Sequence, residues 1–358
     1  MQYGKNVLTP IVTLNYNGKR DTFELVKSIS ESNEKVHLII VDNCSPNENE
    51  FIDLRNTIET YFGKSFSEQK YDNNDVQISL YLPVNNDYSI SLVLSKNNGG
   101  FSKGTNIGIK YSLFFNGASN YIAILNNDTI VTSGFISNIL SVMDENKDVA
   151  CSMGTILYYG QEKPYVWSIG GYPVWRLGQC VHVHKDEIYT LHFEKSKNKG
   201  YVQRKFVSGC FTVFRTDLLQ KIGLLDEDYF FAGEEYQYSY DLSKNHKLAW
   251  VPSSLIYHKS VLNIGNGSSH NINSLEWQYA AYRTKTVFVN KNKSFVFRVL
   301  WHAMLKAHII FSVKKRLLSN RICNKKQFSV FKATIFDRIN SKSFTSKEFV
   351  LFKDLIND

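Results

Sequence analysis

Hydrophobic and polar positions come in blocks along the first third of the chain. Val7 to Leu14 is apolar and β-branched and ends in Asn-Tyr-Asn-Gly, and Val36 to Val41 is a second such run ending in Asp-Asn-Cys-Ser-Pro. Between them, Asp21 to Ser32 sets Phe23, Val26, Ile29 and Ser30 on one face at helical spacing, with Asp21 available as a cap. The pattern predicts strand, helix, strand. It repeats with a strand over Ser89 to Leu94, a helix over Gly104 to Phe115, and a strand over Tyr121 to Leu125 that stops at Asn-Asn-Asp. Continuous apolar strands bounded by turn residues predict an α/β fold with a parallel sheet buried on both faces. Polar residues just past the strand ends predict a ligand crevice at the carboxyl edge.

Residues from about 61 to 87 are rich in Asn, Asp, Ser, Lys and Tyr without clear periodicity and read as an insertion or elaborated loop. From Val149 the pattern changes to short mixed strands and turns, followed by helices over Thr216 to Ile222 and Tyr236 to Asn245 and a last strand over Leu248 to Pro252. Beyond about Trp277 the chain reads as helical and basic. The expected organisation is one α/β domain over residues 1–276, in halves 1–130 and 131–276, with a helical extension over 277–358.

At 358 residues, with 43% hydrophobic, 14% aromatic and 21% charged positions, the chain has enough apolar surface for a packed core and is not a disordered sequence. Its five cysteines, Cys44, Cys151, Cys180, Cys210 and Cys323, are scattered without a Cys-x-x-Cys pair, which excludes a zinc knuckle or disulfide framework and points to a reducing compartment. The first residues lack an apolar run of signal-peptide length, so a cytoplasmic location is expected. The net charge of +9 is uneven: Arg283 through Lys326 holds 12 Lys or Arg and no Asp or Glu.

Three polar clusters carry candidate chemistry. Asp42, just past the second strand, is placed to accept a hydrogen bond from a pyrimidine N–H, with Thr13, Asn15 and Asn17 lining the same pocket. The alternative is that Asp42 and Ser45 close an Asx turn. In Asn126-Asn127-Asp128-Thr129, one carboxylate at Asp128 suffices for a hard divalent cation, Mg²⁺ or Mn²⁺, that also takes phosphate oxygens. The same four residues also suit an ordinary turn. Gly233-Glu234-Glu235 offers two adjacent acids opening a helix, where the macrodipole also favours carboxylates. A general base needs only one of them to face the reacting carbon. The glycine-rich stretch from Asn97 through Gly100, Phe101 and Asn106 to Gly108 is a strand-to-helix turn. It lets the backbone approach phosphates or a ribose, although Gly104-x-x-x-Gly108 also suits close helix packing.

Taken in order, six segments resemble the motifs of family 2 inverting glycosyltransferases, and among them the rhamnosyltransferase-like branch that builds bacterial surface polysaccharides. They are Val12-Thr-Leu-Asn-Tyr-Asn-Gly, Ile40-Val-Asp-Asn-Cys-Ser, Asn98 to Gly108, Leu125-Asn-Asn-Asp-Thr, Leu225-Asp-Glu-Asp-Tyr-Phe with Gly233-Glu-Glu, and Val251-Pro-Ser-Ser-Leu-Ile-Tyr-His. The resemblance spans roughly Val7 to Asn292. It implies a GT-A fold whose 1–130 half binds a nucleoside-diphosphate sugar, dTDP- or UDP-linked, and whose 131–276 half binds a glycan or lipid-linked saccharide acceptor. It carries Asp42 over as the base-reading acid, Asp128 as the last position of an Asp-x-Asp-like metal motif, Glu235 onto the catalytic-base position, and His258 to a place near the metal and diphosphate. Two departures stand out: Glu235 replaces the family's Asp, which keeps Glu234 in play as the base, and Asn126 replaces an acid in the metal motif.

The basic segment from Phe295 to Lys326 mixes apolar residues with cations that interrupt its longest apolar run. It reads as an interfacial helix at the inner face of the plasma membrane or as a subdomain packed on the catalytic domain. Rival readings are a nucleic-acid-binding protein, disfavoured by the strand-end carboxylates, and a sugar-binding protein that has lost activity. A dinucleotide oxidoreductase is disfavoured because the first strand-helix turn lacks its glycine fingerprint.

Overall fold

The computed structural model describes residues 8–116, 119–174, 179–196, 199–260 and 274–357, so Val7 lies outside it. In chain order the elements are β1 (Thr9–Asn15), α1 (Lys19–Glu31), β2 (Val36–Asp42), α2 (Glu50–Phe62), β3 (Ser67–Glu68), β4 (Val76–Pro83), β5 (Tyr88–Ser95), α3 (Gly100–Asn116), β6 (Tyr121–Leu125), β7 (Thr129–Val131), α4 (Ser137–Glu145) and β8 (Val149–Tyr158). They continue with β9 (Val166–Ser168), β10 (Gly171–Val174), β11 (Gln179–His182), α5 (Thr190–Ser196), β12 (Val202–Arg204), β13 (Phe211–Arg215), α6 (Thr216–Ile222), α7 (Glu234–Leu242) and β14 (Lys247–His258). The extension holds α8 (Leu275–Asn292), α9 (Phe295–His308), a π-helical turn over Ile309–Val313, α10 (Lys314–Ser319), α11 (Lys325–Asp337) and α12 (Ser346–Asn357).

The main sheet runs β12-β14-β8-β13-β6-β1-β2-β5-β4-β3, with β7 on β14 and β9 on β8. Its centre is parallel: β1 pairs with β2 in register Asn15 to Asp42, β2 with β5, and β1 with β6. Strand β13 runs antiparallel between β6 and β8, and β14 runs parallel to β8, so β14 points the same way as β6. Asn15, Asp42, Leu125 and His258 therefore end their strands at one edge. The chain leaves β1 through α1 for β2 on one side and returns from β5 through α3 to β6 on the other, and a crevice outside such a reversal is where open α/β sheets bind ligands.

Local details differ from the pattern-based reading: α3 begins at Gly100, not Gly104, α7 spans Glu234–Leu242, not Tyr236 to Asn245, and three further differences have a tertiary cause. Helix α1 starts at Lys19, not Asp21, because a tertiary partner caps it: Glu50 Oε1 accepts the Lys19 N–H at 2.6 Å, and Gly18 makes no side-chain cap. Residues 61–87 are not a loop. They hold the end of α2 and then β3 and β4, and β4 pairs antiparallel with β5 along its length to form the sheet's edge. Strand β14 continues past Pro252 through a register shift between Trp250 and Leu255, which carries it on to His258.

Helix α3 rides directly on the sheet. A Cβ on Gly108 would fall 2.4 Å from Val12 Cγ1, so glycine is what permits the contact. Gly100 begins the helix at φ +84°, where a Cβ would meet the Phe230 carbonyl oxygen at 2.0 Å, and that same carbonyl accepts the Phe101 N–H at 2.9 Å. The segment Leu225 to Phe230 is thus a clamp. Leu225 O and Glu227 accept from Asn106 Nδ2, while Asp226 and Asp228 bind Lys291 of α8.

Two hydrophobic clusters result. One fills both faces of the sheet, and the other lies among α8 to α12 and joins the first region through Tyr229 and Phe230.

Candidate active site

The side of the crevice where a nucleotide is expected is built at β1 and β2. Asp42 is 1% exposed, and its carboxylate accepts from Asn15 Nδ2 at 2.7 Å, from the Ser45 N–H at 2.9 Å and from Ser45 Oγ at 3.0 Å. The Asx turn is therefore real, and it fixes the acid at the strand end. Burial pushes the Asp42 carboxyl above its ordinary pKa, and these hydrogen bonds pull against that. Asn15 is fully buried and accepts from Thr22 Oγ1, which in turn accepts from Asn127 Nδ2, so the first strand end and the Asn126-Asn127-Asp128 segment share one network. Thr13 Oγ1 is buried without a hydrogen-bond partner among the described residues. Asn17 sits at φ 52° on the rim, donating its N–H to Ser45 Oγ.

The glycine-rich turn contributes less chemistry than backbone. Asn98 Oδ1 accepts the Gly100 N–H at 2.9 Å and Asn43 Nδ2 at 3.1 Å, tying the start of α3 to the end of β2. Asn97 is exposed beside it. Phe101 and Asn106 are engaged with the 225–230 clamp described above, so the structure does not bring the Asn106 side chain to the crevice.

Asp128 and His258 do meet. His258 Nε2 lies 3.1 Å from Asp128 Oδ2, across the β7–β14 pairing that sets His258 opposite Thr129. The imidazole is 7% exposed, packs edge-on against Trp167 with ring centres 4.5 Å apart, and has Nδ1 without a hydrogen-bond partner among the described residues. A carboxylate oxygen and the imidazole Nε2 at this spacing form a donor set that fits Mn²⁺ or Mg²⁺, nitrogen ligation favouring Mn²⁺. Asn126, two residues earlier, is held by its backbone, its carbonyl accepting from Thr129 Oγ1 at 2.7 Å.

The acid pair lies one short loop away. Gly209 donates its N–H to Glu235 Oε2 at 2.6 Å, and Cys210 O accepts the Asn126 N–H at 2.9 Å, so two consecutive residues join the base candidate to the metal-motif segment. Both charges reach Cys210: after burial, Asp128 and then Glu235 push its thiol well up. A Cβ on Gly209 would lie 3.2 Å from Glu235 Oε2 and 3.7 Å from Glu234 Oε1, so the absence of a side chain there makes room for both acids. Burial raises Glu235 to about 7. It raises Glu234 to about 8 with added repulsion from Glu235. Glu234 is 6% exposed and its Oε2 has no hydrogen-bond partner among the described residues. Gly233, at φ +132°, lets α8 close on this corner, since a Cβ there would fall 2.0 Å from Thr284 Cγ2.

Several neighbours carried no signal that marked them in the sequence. Trp167 stands between His258 and His182, whose ring burial drives down to about 4 while Ser168 Oγ binds its Nδ1. Tyr236 Oη accepts the Cys180 N–H, placing β11 beside Glu235. Lys259 gives its N–H to Asp128 O and its ammonium to Asp21 and Glu24. Further out, His184, Glu187 and His192 cluster within 4.8 Å, but the two imidazoles stack face to face 3.9 Å apart, a poor arrangement for sharing one ion in both ring planes.

Comparison with known proteins bears on the family and the fold. The model of the family described as glycosyltransferase like family 2 matches residues 84–269, just over half of the chain. The Bacillus subtilis (strain 168) protein named minor teichoic acid biosynthesis protein GgaB is 30% identical over 149 residues, which is 41% of this chain and 13% of that protein. The crystal structure of GalNAc-T7 with UDP, GalNAc and Mn²⁺ superposes with a TM-score of 0.54 at 14% identity, covering 80% of this chain and 51% of that one. A mannosyltransferase from Pyrobaculum calidifontis, solved with GDP-Man and Mn²⁺, covers 98% of this chain and 88% of its own at 11% identity and a TM-score of 0.48. This chain therefore spans about an eighth of the curated relative and about half of the first structural one.

Proposed function

The chain belongs to glycosyltransferase family 2 and has the GT-A fold, and from that premise we propose that it moves a sugar from a nucleoside diphosphate to an acceptor hydroxyl with inversion of configuration. The observation that supports this most is the Gly209–Cys210 link, which ties Glu235 to the segment that carries Asp128, itself in contact with His258 at the carboxyl edge of the sheet. Glu235, raised to about 7 by burial, takes the acceptor proton as the hydroxyl attacks the anomeric carbon. The bond from that carbon to the diphosphate breaks, and the diphosphate carries away the electron pair. Asp128 and His258 would hold a divalent cation, whose chemistry is to neutralise charge on the departing diphosphate. Asp42, Asn15 and Thr13 bind the nucleotide base end.

The donor is a dTDP- or UDP-linked sugar, with rhamnose suggested by motif resemblance. The acceptor is a growing or lipid-linked glycan of a bacterial cell surface, a reading supported by the relative named for teichoic acid biosynthesis. The test is a panel of nucleotide sugars, with and without Mn²⁺ or Mg²⁺, read as released nucleoside diphosphate. Turnover of at least one donor that requires added metal and disappears in Asp128→Ala is expected. Metal-independent turnover unchanged in Asp128→Ala would remove the assignment.

A further inference from the structure

We propose that the outward face of α9 and the π-turn rests on the surface of an anionic lipid bilayer. Phe295–Ser319 is 25 residues long with a mean hydropathy of 1.3 in its most apolar window, long and apolar enough by composition to cross a membrane. Its inner side is already committed to protein. Trp301, Leu305, Ile309, Val313 and Leu317 are buried at every fourth position among α8 and α11. A stripe repeating every fourth residue drifts around a helix of 3.6 residues per turn, and the wider turn at Ile309–Val313 pulls it back onto the core. A helix docked from Trp301 to Leu317 in this way lies on the domain and does not span.

The opposite side is left open. Phe295, Val296, Val299, Leu300, Met304 and Phe311 each expose half or more of their surface, up to 74% at Phe311. A contiguous apolar strip of this kind marks an interaction site. Its flanks identify the occupant. Lys306, Lys314, Lys315 and Arg321 are exposed around the strip, and the stretch from Arg283 to Lys326 contains no acid. A second copy packed through the same acid-free segment would offer it no counter-charge, whereas anionic headgroups offer it everywhere, and apolar insertion and cationic attraction then act together. Helix α8 links the strip to the catalytic corner, because Thr284 packs on Gly233 next to the acid pair and Asn290 binds His302 of α9. A bilayer held at α9 is thereby joined to the acceptor side through one packed unit.

This inference does not depend on the transfer reaction, and its test is separate from it. The full chain is mixed with phosphatidylcholine vesicles, with or without phosphatidylglycerol, and co-flotation is measured at low and high salt, while donor turnover is followed in the same preparations without vesicles. Binding to the anionic vesicles, weakened by salt, is expected. Val296→Asp with Phe311→Asp should reduce it at least about tenfold, with thermal midpoint and turnover unchanged because both side chains are exposed. Lys314→Glu with Lys315→Glu should weaken binding to the anionic vesicles only. Absence of co-flotation overturns the proposal, as does binding unaffected by the paired Asp substitutions. A chain that is dimeric by light scattering, turns monomeric in that variant and never floats would assign the face to a second copy instead.

Discussion

Glu234 and Arg283 are both almost wholly enclosed, and the protein treats them in opposite ways. At the sheet edge, Glu234 Oε2 has no hydrogen-bond partner among the described residues, and neither do His258 Nδ1 and Thr13 Oγ1. In the extension, Arg283 is 0% exposed and fully engaged: its guanidinium forks onto Glu348 and donates to Arg338 O at 3.1 Å and Ser343 O at 2.9 Å, and Tyr279 Oη binds the same carboxylate at 2.8 Å. Unpaired buried polar atoms cost stability; those among the described residues all lie outside the helical extension, and these three line the crevice, where a ligand would supply their partners. The satisfied arginine marks where the fold is held together. If this contrast is right, substitutions in the two regions should separate activity from stability.

The largest effect is expected at the first region. Glu235→Gln keeps shape and the Gly209 hydrogen bond but cannot take a proton, so kcat should fall about 10²- to 10⁴-fold, while the thermal midpoint stays level or rises. Near-native transfer by this variant would shift the base to Glu234 or away from the pair altogether. Next comes Glu348→Ala, which leaves Arg283 charged and unpaired and should cost about 3–5 kcal/mol in denaturant unfolding. The kcat per folded molecule should not change. A large kcat loss with intact stability would show that the extension does more than brace the corner at Gly233.

The parts of this contrast that could be read in advance are those with a local signature. β1, β2, β5 and β6 are continuous apolar runs, and their strand-end residues Asp42 and Asp128 were visible because turn-forming polar residues follow each run. Local pattern fails where the partner is distant. Glu50 caps α1 from across a loop, and β4, of mixed exposure, lies next to the sheet's edge between β5 and the two-residue β3. Gly209 is invisible for the same reason, since its importance lies in what a side chain there would strike. His258 and the rank of Glu235 over Glu234 rested on motif resemblance, whereas the 3.1 Å Asp128–His258 contact is a property of β7 lying across β14.

A smaller substitution sharpens the same comparison. Gly209→Ala places a methyl 3.2 Å from Glu235 Oε2, close enough to displace the carboxylate by a few tenths of an ångström. Misplacing a base by this much should lower kcat about tenfold with little change in KM for the donor. Unchanged kcat would mean that Glu235 has slack in its position.

The smallest effect concerns Glu234 and is read as stability against pH. Burial and the neighbouring Glu235 raise its carboxyl from the ordinary 4.5 to about 8, so the folded chain keeps a proton that the unfolded chain releases in between. Folded stability from this group is complete below about pH 4.5 and is lost as pH climbs through about 8, because the charged form is the one the enclosure penalises. Glu234→Gln removes that dependence, so the variant should gain on the order of 3 kcal/mol over the wild type at pH 8 compared with pH 5. Both proteins should agree closely at pH 5. An equal difference at the two pH values would mean that Glu234 ionises normally, and the case for a strained acid pair would then rest on Glu235 alone.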